Sequence, residues 1–260
     1  MILSPIDVEA YRRKGYAALR GLLDPDEIAN LQGECDRLWT SADLSPGNLR
    51  AVARPTTAGG RQIDRLDPVS DLSPLIARIV RAPKLLAAAA AVLGEPAVLM
   101  KDKLIFKSAG VHGYTVHQDY HVWQEMPVPA EALLTIALAV DATHAANGAV
   151  QFYPGLHDRL HTERCTPSDL FSPSSGVVPE PVLAGVEPEL IPLSPGDAVI
   201  FSSLVPHESA PNLTGDPRRV LFLTYNAASY GDIYDAYYSK FQSYLRADRA
   251  AEGIQAPYFR

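Results

Sequence analysis

The sequence predicts an α+β fold in which short helices come first and a β-sandwich or barrel forms the centre. Apolar residues between Ile28 and Leu38 recur every three or four positions, which is typical of an amphipathic helix. Residues 97–107 alternate in polarity and residues 133–140 form a continuous apolar run, and both patterns are typical of strands. No second change of composition divides the chain, so we expect one domain.

Helices are expected in the N-terminal third. Asp24 can cap a helix that runs from Pro25 to about Trp39, because proline suits the first turn and the acids that follow suit the positive end of the helix dipole. The other predicted elements of this part are helices over residues 5–14, 74–80 and 83–93 and a short strand over residues 16–19.

Two segments lack periodicity. Residues 41–67 are predicted to form a long loop, and residues 161–190, rich in proline and serine, a lid or a disordered insertion. The first segment contains Arg54, Arg61 and Arg65. Solvated surface charges are the usual interpretation of such arginines, and contact with an acidic substrate is the alternative.

Strands dominate after Pro96. In residues 97–107, Lys103 and Lys107 lie on the face opposite Leu104 and Phe106. The other elements predicted here are strands over residues 114–120, 133–140, 149–153, 190–193, 198–202 and 220–226 and a helix over residues 233–249. The tyrosines of that helix recur at helical spacing and are expected to pack in the core or an interface.

Composition restricts the class of function. The formal net charge of -7 argues against broad electrostatic binding to nucleic acid or to an anionic membrane. The longest apolar run, residues 85–93, is too short to span a bilayer, and the chain start lacks the pattern of a signal peptide. Cys35 and Cys165 are far apart and form no disulfide framework, so a reducing cytoplasm is expected.

His117 and Asp119 are the first candidates for chemistry. Residues two apart in an extended chain project to the same face. An imidazole and a carboxylate side by side are two of the three ligands of the facial triad that binds non-haem iron(II) and leaves positions open. Alone, this spacing is more often a surface pair, so the rest of the chain must supply the third ligand.

His207 can be that ligand, because it ends an apolar strand 90 positions after His117. Arg218, 11 residues further, opens another apolar strand, where an arginine is costly unless it meets an anion. Its planar fork suits a carboxylate, and Ser209 can donate a hydroxyl to the same group. Arg219 is the competing candidate, and only one of the two arginines can face the pocket.

In this order, His117-x-Asp119, His207, Ser209 and Arg218 resemble the phytanoyl-CoA dioxygenase family of iron(II)/2-oxoglutarate oxygenases. The segment with Asn147-Gly148 and Pro154-Gly155-Leu156-His157 is similar to the family's Asn-Gly and Pro-Gly-Ser-His pattern, with Leu156 in the place of the usual serine. Within the family, the chain looks most like bacterial enzymes that hydroxylate amino acids, ectoine-type solutes and natural-product intermediates, which implies a role in secondary metabolism.

The resemblance implies a double-stranded β-helix, a jelly roll of the cupin-like kind. A helical part over about residues 1–95, a jelly-roll core over about 96–226 and a C-terminal helix over about 232–249 would form a single domain of residues 1–260. His117, Asp119 and His207 would bind iron(II).

The resemblance also implies roles around the metal. The cosubstrate 2-oxoglutarate would chelate the iron, and Arg218 with Ser209 would hold its far carboxylate. Lys103 is either a further anion contact or a surface lysine. Trp123 and His121 are candidates for substrate contact, with core packing as the alternative for Trp123.

The reaction so implied uses O2, hydroxylates or otherwise oxidises a C–H bond of a small molecule, and releases succinate and CO2. The presence of Asp119 favours hydroxylation over halogenation. Two other hypotheses are a non-catalytic jelly-roll binding protein and a zinc hydrolase, which would have no use for Arg218. The substrate stays open between a free amino acid, a carrier-bound acyl group, a glycoside and a terpenoid acid, as does a multi-step oxidation.

Overall fold

Two antiparallel sheets face each other in the centre of the protein. A computed structural model describes residues 5–56, 58–162 and 176–259. Its strands are β1 (Tyr16–Leu19), β2 (Ala51–Pro55), β3 (Arg61–Leu66), β4 (Ala97–Lys107), β5 (Tyr114–His117), β6 (Leu133–Ala139), β7 (Val150–Phe152), β8 (Glu189–Leu190), β9 (Ala198–Ser202), β10 (His207–Ser209) and β11 (Arg218–Ala227).

The larger sheet has the strand order β1-β9-β6-β11-β4-β3-β2, and the smaller sheet the order β5-β10-β7-β8. Neighbours in each list pair antiparallel, and most are distant in sequence. This is the predicted α+β fold with a double-stranded β-helix at its core. The cavity of the candidate site is lined by residues of both sheets.

The helices of the described residues are α1 (Pro5–Lys14), α2 (Pro25–Ser41), α3 (Pro74–Ile79), α4 (Pro83–Leu93), α5 (Glu180–Leu183) and α6 (Tyr234–Ala251). The first four cover the outer face of the larger sheet. The predicted helices are confirmed, with small shifts at their ends. In α2 the Asp24 carboxylate accepts from the Glu27 N–H, and Glu27 accepts from the Asp24 N–H, which is a complete capping box.

The core between helices and sheet explains why these segments are placed as they are. Leu31 and Cys35 of α2 and Leu85 of α4 are fully buried in one cluster with the outward residues of the sheet, such as Leu104 and Leu221. Full burial of a large aliphatic side chain contributes about 1.5–3 kcal/mol. The opposite face of the same strands is therefore free to line the space between the sheets.

The predicted loop over residues 41–67 is wrong in part, because strands β2 and β3 form a hairpin there. Strand β3 pairs with β4, with Arg65 opposite Ile105 and Leu66 opposite Leu104. The inward residues of this hairpin face a polar cavity and not an apolar core. The alternation of apolar and polar residues that identifies a strand is consequently hidden in the sequence.

Three other expectations require correction. The predicted strand over residues 114–120 ends at His117, and a 3-10 helix (Asp119–Val122) follows. The predicted strand over residues 190–193 is only the short β8, Glu189–Leu190. The segment over 161–190, expected to be a lid or an insertion, contains α5 and β8, and its residues 163–175 lie outside the described residues.

Candidate metal and cosubstrate site

The two candidate histidine ligands are neighbours across a strand pair. His117 ends β5 and His207 begins β10, and the two residues are direct partners in the antiparallel register. Their ring centroids are 4.3 Å apart. Backbone pairing of β5 with β10 thus places both imidazoles side by side, where they line a cavity between the two sheets.

Hydrogen bonds fix the orientation of both rings. The Nδ1 atom of His117 bonds the carbonyl oxygen of Thr115 at 2.7 Å, and Nδ1 of His207 bonds that of Val205 at 3.0 Å. A carbonyl only accepts, so each Nδ1 carries the proton and each Nε2 keeps a free lone pair. Metal-binding histidines are oriented in this way.

Asp119 completes the group although it lies on the 3-10 helix and not on the strand. Its Oδ1 atom is 3.8 Å from Nε2 of His117. The candidate ligand atoms of His117, Asp119 and His207 all lie within 4.8 Å of one another. Two imidazole nitrogens and one carboxylate on one side of an ion are the donor set of the facial triad, so the residues fit iron(II).

The ionisation of these side chains favours metal binding. Burial and the adjacent His207 lower the pKa of His117, and burial also lowers the pKa of His207. Although burial opposes it, His207 and Lys103 lower the pKa of Asp119. Neutral imidazoles beside an ionised carboxylate are the protonation states that a cation requires.

A small cavity of about 50 Å³ extends from the triad to Arg218. Arg218 is buried at its far end, where Nη2 donates to the Gly148 carbonyl at 2.7 Å. The Nε and Nη1 atoms have no partner among the described residues. Burial lowers the pKa of Arg218 to about 10. Two free N–H groups of one guanidinium match the two oxygens of a carboxylate.

Arg219, the competing candidate, points to the outer side of the sheet. Its Nε donates to the Asp141 carboxylate at 2.7 Å, and its Nη1 donates to that of Asp36. The two arginines alternate on β11, and only Arg218 lines the cavity.

Lys107 supports the Arg218 end of the cavity and was not singled out from the sequence. It is fully buried, and its Nζ donates to Ser209 Oγ at 2.7 Å and to the Ala210 carbonyl at 2.6 Å. Because Oγ accepts from Lys107, the Ser209 hydroxyl hydrogen is left for another acceptor. Burial and Arg218 lower the pKa of Lys107 to about 6. The sequence feature that could have identified Lys107 is its position on the same strand face as Lys103.

A larger cavity of about 540 Å³ opens on the other side of His117 and Asp119. Lys103, His121 and Trp123 all line it, and Lys103 also lines the small cavity. Trp123 is also part of a buried apolar cluster, which agrees with core packing, and its contact with substrate stays a prediction. His121 is buried, with Nδ1 bonded to the Gln118 carbonyl at 2.8 Å.

Sequence reasoning missed most of the other residues that line this cavity. Arg54 and Arg65 of the β2–β3 hairpin belong to it, so for these two the surface interpretation is wrong. The side chain of Arg61 is outside the described part of the chain. Helix α6 contributes further lining residues, namely Tyr237, Lys240, Phe241 and Tyr244.

Comparison with known proteins agrees with this geometry. Residues 11–220 match the family described as phytanoyl-CoA dioxygenase (PhyH). The chain is 36% identical to a methylphosphonate hydroxylase of Gimesia maris over 251 residues, which cover 95% of this chain and 90% of the relative. The chain belongs to the PhyH family.

Other relatives extend the comparison. An ectoine dioxygenase of Streptomyces coelicolor is 25% identical over 85% of this chain and 77% of its own length. A 2-aminoethylphosphonate dioxygenase of an uncultured bacterium is 25% identical over 85% of this chain and 81% of its own. EctD from S. alaskensis with 2-oxoglutarate and 5-hydroxyectoine has the same fold, with a TM-score of 0.70, 24% identity and coverage of 88% of this chain and 77% of that one.

As a PhyH family member, the protein is an oxidoreductase, a dioxygenase that depends on iron(II) and 2-oxoglutarate and consumes O2. The expected class of enzyme, fold and cofactors is thereby confirmed. Among the described residues, no helix is both long and apolar enough to cross a bilayer.

Proposed function

We propose that this PhyH enzyme hydroxylates a C–H bond of a small organophosphonate. The observation that carries the proposal is the position of the large cavity, which adjoins His117 and Asp119 and is lined by several cationic side chains. Two of the relatives act on phosphonates by name, including the one at 36% identity. A cationic cavity of about 540 Å³ suits a compact anion with a few carbon atoms.

In this proposal His117, Asp119 and His207 hold iron(II). Bound iron with 2-oxoglutarate and O2 supplies the oxidising power, and succinate and CO2 are released. The protein's own contribution is to orient the reacting C–H bond and to exclude water. His121 and Trp123, on the segment that follows Asp119, form the wall that positions the substrate against the metal.

Arg218 and Ser209 bind the far carboxylate of 2-oxoglutarate in the small cavity. The support for this role is the buried guanidinium with two unpaired donor atoms and the serine hydroxyl oriented by Lys107. Residues 1–260 would act as one catalytic domain. A cytoplasmic location and a role in secondary metabolism stay predictions from the sequence.

Succinate release and product formation test the proposal together. Purified enzyme with iron(II), ascorbate and 2-oxoglutarate is supplied with methylphosphonate, 2-aminoethylphosphonate or ectoine. We expect equimolar succinate and hydroxylated product with a phosphonate, and neither with the Asp119→Ala variant. Turnover of ectoine but of no phosphonate would overturn the substrate class. Full activity of Asp119→Ala would overturn the assignment of the metal site.

Anaerobic titration separates the remaining hypotheses. Iron(II) and 2-oxoglutarate together should produce a weak visible charge-transfer band. Absence of both the band and binding would favour a non-catalytic binding protein, and hydrolytic activity with zinc would favour a zinc hydrolase.

A further inference from the structure

The cationic side chains that line the large cavity differ in whether a carboxylate lies close to them. Among the described lining residues, three cations have a carboxylate partner at short range. Arg54 Nε bonds Asp64 at 3.1 Å, and Lys101 Nζ bonds Asp67 at 2.6 Å. The third pair, at the cavity mouth, joins Lys240 and Glu125 at 2.7 Å.

Lys103 and Arg65 are the two exceptions. Lys103 has no hydrogen bond or ion pair with any described residue, and its Nζ lies 5.0 Å from the centroid of the Phe222 ring. Arg65 has carboxylates only at the long distances of 3.8 and 3.9 Å, to Asp67 and Asp64. Its Nε atom is buried without a hydrogen-bond partner within the described ranges.

These two side chains project from one surface. Arg65 on β3 lies opposite Ile105 on β4, and Lys103 is two residues from Ile105 on the same face. Both line the large cavity, and Lys103 also lines the small one, so it lies where the two cavities meet beside Asp119. Iron bound to Asp119 would neutralise that carboxylate and leave Lys103 with less compensation.

Resting on the proposed function, we propose that Lys103 and Arg65 form the binding site for the phosphonate group of the substrate. Lys103 is withdrawn from water without an ion-pair partner among the described residues, and Arg65 has only the long ion pairs to Asp67 and Asp64 and a buried Nε atom that bonds no described residue. Burial of incompletely paired charge is unfavourable, and a bound anion would reduce that cost. The ammonium supplies a compact charge, while the guanidinium offers a planar pair of donors to two phosphonate oxygens. Anchoring the anionic end beside the metal site places the attached C–H bonds next to the reacting centre.

Binding of methylphosphonate to the anaerobic iron(II)·2-oxoglutarate enzyme tests this site without turnover. The readouts are calorimetry and the shift of the visible band when methylphosphonate is added, and inorganic phosphate serves as a competitor. For Lys103→Met and Arg65→Gln we expect methylphosphonate Kd to rise about 10- to 100-fold, since each leaves a buried charge contact unmade. The Kd of 2-oxoglutarate should change less than about threefold.

Further variants control for folding and for charge alone. Lys103→Arg keeps the charge and should restore most of the affinity. Lys84→Met removes a cation whose partner, Glu27, lies far from the cavity, and it should leave methylphosphonate binding unchanged. A visible band of normal intensity shows that each variant is folded around its metal.

The outcomes separate this proposal from the proposed function. A normal methylphosphonate Kd in Lys103→Met and Arg65→Gln would overturn the site, and so would a wild-type enzyme that binds neither methylphosphonate nor phosphate. Loss of 2-oxoglutarate affinity alone in Lys103→Met would also overturn it, because Lys103 would then serve the cosubstrate. Wild-type binding that depends on both residues, but without hydroxylation, would support the site while the proposed reaction fails.

Discussion

His117 and His207 are direct partners across the β5–β10 strand pair, with their ring centroids 4.3 Å apart. A metal ion shared by these rings would therefore join two strands that are far apart in the sequence. The site is built on paired backbone, which positions ligands more accurately than loops do. Metal binding and stability of the fold should consequently be linked.

The first prediction concerns this linkage. Anaerobic iron(II) at 100 times its Kd should stabilise the wild-type protein by about 2.7 kcal/mol, because it binds only the folded state. His207→Ala and Asp119→Ala should lose this gain and bind little iron, because each variant removes one of the three protein ligands. Thermal melting and metal analysis provide the measurements. An unchanged iron-dependent rise of Tm in both variants would contradict the prediction.

Much of the site could be predicted because its chemistry is local in sequence. His117 and Asp119 are two positions apart, and His207 and Ser209 are two positions apart on the short strand β10. The helices could also be predicted from local sequence. In α2, for example, Asp24 is a capping residue and the apolar residues after it recur at helical spacing.

The remainder depends on contacts between distant segments. The sequence does not distinguish Lys107 from a surface lysine. Its burial depends on contacts with Ser209 and Ala210, which lie about one hundred residues later in the chain. The hairpin that contains Arg54 and Arg65 was predicted to be a loop. Its strand residues face a polar cavity, so the sequence lacks the usual alternation of polar and apolar residues.

The second prediction distinguishes the two consecutive arginines. Arg218→Met should raise the KM for 2-oxoglutarate about 100-fold, because the buried carboxylate would lose its cationic partner. Arg219→Met should leave that KM unchanged and lower Tm, since its guanidinium pairs with Asp141 and Asp36 outside the cavity. Steady-state succinate release and thermal melting measure the two effects. The reverse pattern would show that Arg219 is the anchor.

The third prediction uses a close backbone contact beside Ser209. A Cβ atom on Gly113 would lie 1.9 Å from the Ser209 carbonyl oxygen, so Gly113→Ala must displace β10 or the preceding turn. We expect a loss of about 1–3 kcal/mol in the free energy of unfolding, together with weaker 2-oxoglutarate binding. Urea unfolding and the anaerobic visible band test both effects.

Gly33→Ala is the matched control, because nothing lies within 4 Å of its added Cβ on helix α2. Helix propensity should make this variant more stable by about 0.5–1 kcal/mol. Equal responses of the two variants would show that the contact at Gly113 is not restrictive.

The fourth prediction concerns acid stability of the metal-free protein. Folding lowers the pKa values of His117 and His207 below the ordinary histidine value of about 6.5. Below that pH the unfolded chain binds more protons than the native one, so stability should fall as the pH decreases, by about 1.4 kcal/mol per pH unit for each imidazole. Urea midpoints between about pH 7.5 and 5.5 measure the slope.

His207→Gln should remove part of this pH dependence, whereas His112→Gln, at an exposed position, should not. The same slope in His207→Gln and wild type would show that the imidazole at position 207 is not held neutral by burial.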